Sequence, residues 1–170
     1  MTDNPVLDEA VAALRDATSL EDVQRIVRTA TRRLVDAAGA TVVLREDDVC
    51  YYADEDAIAP LWKGQRFPIN DCISGWAMLN QQYAVVPDIR VDARIPQQAY
   101  RPTFVRSLVM VPIRVQDPLG AIGAYWARPH QATDVQVALL SALATAAGPA
   151  LTRFLSERPE GELLGISPSG

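Results

Sequence analysis

The sequence predicts an α+β domain in which a central antiparallel sheet carries terminal helices on one face and a loop-and-helix cover on the other. Three observations predict it. Residues 104–127 hold two apolar runs separated by one short polar break, which is the pattern of a β-hairpin. Helical three-four spacing of apolar residues occurs near both ends of the chain. Between the strand signals, residues 88–102 lose all periodicity and are punctuated by Asp88, Asp92, Pro96 and Pro102, as a long loop would be.

In chain order, Leu7, Val11 and Leu14, with Ala10 and Ala13 between them, form one apolar stripe and predict a short helix within residues 1–18. Ser19 followed by Asp22 is a capping-box variant with a shorter carboxylate than the usual glutamate. Val23, Ile26, Val27, Ala30, Leu34 and Val35 continue that helix along one buried face, and Gly39 is expected to end it. Residues 41–44 and 49–53 read as a second hairpin around the charged turn 45–48, and 55–64 as a mixed loop. A short strand at 65–69 follows, interrupted at Pro68. Asn70 or Asp71 is then expected to cap a helix over 73–80. Residues 83–86 return to strand until Pro87, and one helical turn is expected at 97–101.

In the central hairpin, 105–115 and 119–126 are apolar on successive residues, so both strands should be covered on both faces. Gly120 and Gly123, among Ala121 and Ala124, leave the second strand bare, either for a packed element or for a ligand. Thr133 and Gln136 make a capping box that opens the longest helix, expected to run to about residue 156. Gly148-Pro149 should kink or divide it, because proline removes a backbone donor. Residues 157–170 are rich in turn formers and read as a flexible tail or linker.

The 170 residues suit one domain, and a net charge of −5 opposes general binding to phosphate backbones, so no nucleic-acid partner is expected. Arg25, Arg28, Arg32 and Arg33 share one helix but are flanked by Glu21, Asp22 and Asp36, which reads as a solvated face. The start of the chain lacks a secretory signal pattern, and no segment is expected to span a membrane, so the expectation is a cytoplasmic protein. Cys50 and Cys72 should then be reduced thiols, and one histidine, His130, leaves a Cys/His zinc site short of ligands. No metal site is expected.

No enzyme is expected either. Ile73-Ser74-Gly75 lacks the leading glycine of a nucleophile elbow, and there is no glycine-rich phosphate loop. Phe67 to Ala77 (FPINDCISGWA), Val85 to Arg94 (VVPDIRVDAR) and Arg106 to Ile113 (RSLVMVPI), followed by the small-residue strand ending in Tyr125-Trp126, together resemble a GAF domain over 19–156. The resemblance implies a regulatory, small-molecule-sensing module of signal transduction, commonly dimeric and controlling an effector such as a histidine kinase of a two-component system. The alternative is a ligand-free dimerisation and coupling module, and the third is a GAF-like redox enzyme. Free methionine sulfoxide reductases, which are GAF-like, use cysteines in the loop region, and residues 88–104 contain none. Covalent bilin is disfavoured because 97–101 reads QQAYR without a Cys-His pair, and haem because His130 lies between the last strand and last helix. The Asn-Lys, Phe and Asp-Glu pattern of cyclic-nucleotide binders is not found, and no cofactor is expected.

For a small organic ligand, Trp76, Tyr100, Phe104, Met110 and Tyr125 are candidate walls, with Asp88 and Ser107 as orienting polar groups. The same aromatics could also close the space by themselves. A homodimer is expected from surplus apolar area on the terminal helices, through Leu7, Val11, Leu14, Leu143, Ala147, Leu151 and Phe154, with an amino-terminal helix folding back within one monomer as the competing explanation.

Overall fold

The computed structural model describes residues 4–155. Its helices are α1 (Pro5–Arg15), α2 (Leu20–Val35), α3 (Ile73–Asn80), α4 (Gln97–Tyr100) and α5 (Asp134–Leu155). Its strands are β1 (Gly39–Glu46), β2 (Val49–Ala57), β3 (Arg66–Pro68), β4 (Ala84–Val86), β5 (Ser107–Ile113) and β6 (Gly120–Trp126). They form one antiparallel sheet in the order β3-β2-β1-β6-β5-β4. The chain leaves the sheet at one edge after β3 and re-enters at the other edge as β4, so the segment between has to cross a face. That crossing, with the 87–106 loop, makes the cover.

Strand alternation divides the core in two. Val42 and Leu44 of β1, Val109, Val111 and Ile113 of β5, and Ile122, Ala124 and Trp126 of β6 face α1, α2 and α5. Val43, Leu108, Met110, Ala121 and Tyr125 face the cover, with Ile73, Ala77 and Met78 of α3 and Tyr100 of α4. Every residue of β5 and β6 is buried, as their continuous apolar runs require.

Local chemistry accounts for most helix ends. Asn4 accepts from the Leu7 amide at 3.1 Å, Ser19 from Asp22 at 3.0 Å, and Asp22 returns a bond to the Thr18 amide. Thr133 and Gln136 exchange the expected reciprocal pair, at 3.1 and 2.9 Å. Three expectations are corrected. Gly39 does not end α2; Asp36 takes the left-handed cap (φ 49°) and Gly39 opens β1. The residue before α3 is Cys72, without a side-chain cap, because Ile69–Asp71 already forms a 3₁₀ turn. The mixed loop begins later than expected, since β2 runs through the acidic residues to Ala57. Two of those acids face α2: Arg28 binds Asp54 at 2.8 Å and Arg32 binds Asp56 at 2.9 Å, so half of the arginine cluster bridges two elements instead of lying in solvent.

Gly148-Pro149 does not divide α5, which is one helix of 22 residues. By length and apolar composition it could cross a membrane, contrary to expectation, but half of its apolar window is buried within the fold, as suits a core helix. Helix α1 shares the core of α2 and α5 and is not a separate unit. Leu7, Leu14, Leu143, Ala147 and Leu151 are buried by the chain's own elements, which matches the folding-back explanation; of the seven residues expected at a dimer interface only Val11 and Phe154 stay partly exposed. The 157–170 expectation lies outside the described residues.

The bare strand also has an occupant. Gly123 is opposite Thr41, and the Tyr125 ring leans back over it to bond Thr41 Oγ1 at 2.8 Å. A Cβ on Gly123 would stand 2.4 Å from the Tyr125 hydroxyl and 2.7 Å from Thr41 Oγ1. The space above that glycine is therefore filled by a side chain of the same strand. Gly123→Leu is expected to cost about 2–4 kcal/mol, combining overpacking of about 1–3 with the lost hydrogen bond of about 1. An unchanged urea midpoint would show that the ring is free to move away.

Candidate functional site

Beneath the cover lies an aromatic cluster with polar tips. Tyr52 of β2, Trp62 of the following loop, Tyr100 of α4 and Tyr125 of β6 are all buried. The Trp62 ring centroid lies 5.6 Å from Tyr52, 4.6 Å from Tyr100 and 5.5 Å from Tyr125. Trp62 is held from two sides. Its indole N–H donates to the Ala99 carbonyl at 3.0 Å, tying the loop to α4. The Glu55 carboxylate accepts from the amides of Leu61, Trp62 and Lys63, each at 2.9 Å, which fixes the loop's curvature.

The hydroxyls of the cluster differ in their partners. Tyr125 bonds Thr41, and Tyr52 bonds Ser74 Oγ at 3.1 Å. Ser74 in turn lies 3.4 Å from Cys72 Sγ. The Tyr100 hydroxyl is buried with no hydrogen-bond partner among the described residues. Burial pushes all three phenols up, so at neutral pH each is a neutral hydroxyl able to donate or accept.

Of the expected ligand residues, the structure brings Tyr100, Met110 and Tyr125 together in this core, with Phe104 packed partly buried at its margin against Gly39. The other three have different surroundings. Ser107 is fully buried but its hydroxyl donates to the Arg128 carbonyl at 2.7 Å, and Asp88 caps a 3₁₀ turn by accepting from the Arg90 amide at 3.0 Å. Both polar groups are thus engaged in holding backbone. Trp76 is half-buried and faces an outer groove of about 600 Å³, where the Arg94 guanidinium lies 4.4 Å above its ring. Asp92 grips that guanidinium through both oxygens, at 2.9 and 2.6 Å, and its own carboxyl is lowered by the contact. A separate apolar groove of about 850 Å³, between Val111, Pro112 and the Ala144 to Gly148 stretch of α5, holds none of the expected ligand residues. His130 bonds Gln136 at 2.9 Å and packs tilted against the Trp126 ring, a capping role at the start of α5.

Sequence reasoning missed Tyr52, Trp62, Thr41 and Ser74. A signal existed for Trp62: a tryptophan in a loop is costly unless something buries it. Tyr52 alternates inward beside Cys50, but only the sheet order shows that the inward face at that position lies under the cover.

This architecture, one antiparallel sheet with helices on one side and a cover closing an aromatic and polar interior on the other, defines the chain as an α+β domain of the GAF kind. The chain belongs to the GAF domain family, whose model matches residues 17–152. Among solved structures it is similar to the GAF domain of an Acinetobacter phosphoenolpyruvate-protein phosphotransferase, with TM-score 0.76 and 12% identity over 87% of this chain and 91% of that one. It is also similar to a free methionine-R-sulfoxide reductase from Neisseria meningitidis in complex with its substrate, with TM-score 0.75 and 17% identity over 89% of each chain. The GAF-B domain of DevS from Mycobacterium smegmatis aligns with TM-score 0.66 and 18% identity over 81% of this chain and 96% of that one. At these identities the likeness is one of fold. A search of curated protein sequences found no match.

Proposed function

We propose that this chain is a regulatory module that senses a small organic molecule beneath the cover and controls a linked or partner effector, such as a histidine kinase, in the cytoplasm. The observation that supports it is the Tyr100 hydroxyl. The residue is only 3% exposed, sits among Trp62, Tyr52 and Tyr125, and leaves its polar atom unbonded. A core built for packing alone would place phenylalanine there, since a buried unmade hydrogen bond costs about 1–3 kcal/mol. A ligand with a donor or acceptor completes it, provided the cover opens to admit it. Such input would reach the terminal helices through the strands, because β5 and β6 carry cover-facing and helix-facing residues alternately.

Native mass spectrometry of freshly purified protein, with denatured protein as control, tests this together with Tyr100→Phe. A retained small molecule is expected in the parent and not in the variant, while the ligand-free variant is expected to gain about 1 kcal/mol in urea denaturation. No retained molecule, with a variant no more stable than the parent, overturns the reading. The second reading, a ligand-free homodimerisation and coupling module, is supported by how fully the aromatics occupy the space beneath the cover. Sedimentation showing a dimer with no bound molecule at micromolar concentration would favour it.

A further inference from the structure

The two cysteines form a pair that the sensing reading does not use. Cys50, fully buried, lies in β2 opposite Phe67 of β3. Cys72 directly precedes α3, five residues beyond Phe67 in the chain. Both are free and belong to the same buried cluster beneath the cover, close enough for each to perturb the other's proton. They are also unequal. The Cys72 thiol is lowered, first by its contact with Cys50 and then by the Ser74 hydroxyl and the Gly75 amide, against the opposing effects of burial and the nearby Asp71 charge. The Cys50 thiol is pushed up, because Cys72 holds its proton in place and burial penalises its charge.

Access is unequal as well. Cys72, 6% exposed, lines the outer groove together with Asp71, Trp76, Arg94 and Ile95, whereas Cys50 lies behind it in the core. A reagent small enough to enter the groove meets Cys72 first.

We propose that Cys72 is an oxidation site for small hydroperoxides and that Cys50 is its resolving partner, the two forming a reversible intramolecular disulfide. In the first step the Cys72 thiolate attacks one peroxide oxygen and the O–O bond breaks. The departing oxygen takes up a proton and leaves as water or an alcohol, and Cys72 becomes a sulfenic acid. The Cys72 negative charge that held the Cys50 proton is now gone. The Cys50 sulfur attacks the Cys72 sulfur and releases its proton, which leaves with the sulfenic hydroxyl as water. The thiol pair loses two electrons and the hydroperoxide gains them. An external dithiol reverses the change by exchange.

The consequence reaches the aromatic cluster. Ser74 stands between Cys72 and the Tyr52 hydroxyl, so converting the Cys72 thiolate into a disulfide sulfur weakens its acceptor and alters the bond to Tyr52. The module thereby has a second, chemical input that needs no ligand under the cover.

The test treats the reduced full chain with graded hydrogen peroxide, alkylates remaining thiols after denaturation, and maps the peptides. Cys50 and Cys72 are expected to disappear together into one linked peptide that dithiothreitol restores. Cys50→Ser is expected to accumulate a Cys72 sulfenic acid that dimedone captures, and Cys72→Ser to leave Cys50 largely unreacted. Sulfoxides of Met78 or Met110 forming before the linked peptide overturn the proposal, as does oxidation of Cys50 at an undiminished rate in Cys72→Ser. The parent measurement decides even where a variant fails to fold. With no ligand in the assay, its outcome is separate from that of the sensing reading.

Discussion

Leu143→Glu is expected to unfold the domain at neutral pH. Leu143 is fully buried where α5 lies in the core shared with α1, α2 and the sheet. Removing a leucine side chain from such a site costs about 2–5 kcal/mol before any charge is considered. A carboxylate there must stay ionised without a partner or take up a proton. If burial raises its pKa by about three units, protonation at pH 7 adds roughly 4 kcal/mol. The sum reaches the range of total domain stability, about 5–15 kcal/mol. The sign with pH follows from the raised folded-state value: the electrostatic part of the penalty is absent below about pH 4, where both states are protonated, and grows as pH rises through the unfolded-state pKa of about 4.3. Leu143→Met, which conserves volume, is expected to cost less than about 1.5 kcal/mol. Circular dichroism and urea denaturation read both. A folded Glu variant with the parent's midpoint would place Leu143 on the surface and restore it as a dimer contact. For the same reason charge substitutions at 143 and 151 cannot map a dimer in this chain, and Val11 and Phe154 are the positions to substitute.

Trp62→Ala is expected to cost about 3–5 kcal/mol, the range for large aromatics in cores. The indole packs edge-on or tilted against three tyrosine rings, and each such pair contributes about 0.5–1.5 kcal/mol beyond area burial. Its loss also leaves the Ala99 carbonyl without the indole donor and frees α4 from the 58–65 loop. Trp62→Phe keeps most of the ring and loses the N–H, so a cost nearer 1 kcal/mol is expected. The two variants separate packing from the tie to α4. Equal urea midpoints for parent and Trp62→Ala would mean that the cover is not fastened through this residue.

The order of elements was legible in the sequence because it rests on local chemistry. Ser19 with Asp22, and Thr133 with Gln136, mark helix starts by bonds that span three residues. The unbroken apolar runs of β5 and β6 announce strands with no solvent face, and both faces are indeed covered. The family that the three pieces resemble is the one whose model matches, over 17–152, and all three lie within that span. The interior was read less well. Tyr100, Met110 and Tyr125 do share the space beneath the cover, but Ser107 and Asp88 turn to backbone partners that lie far off or adjacent in ways composition does not reveal. At two places the structure adds what the sequence leaves open, because a stretch of sequence shows which residues are apolar and not what covers them. The stripe on α1 and the surplus on α5 satisfy each other within the chain. The bare β6 glycine is covered by Tyr125, which could be known only from its bond to Thr41 across the register of β1 and β6.

By itself the sequence determined the order of strands and helices, the starts of α2 and α5, the family and the presence of two thiols, because periodicity and capping act over a few residues. Tertiary structure alone decided that Cys50 and Cys72 share one buried cluster, that Trp62 and Tyr52 join Tyr100 and Tyr125, and that one tyrosine hydroxyl finds no partner among the described residues. Those contacts depend on the chain crossing from β3 at one sheet edge to β4 at the other, which lays α3 over the sheet, and on the 87–106 loop, which adds α4.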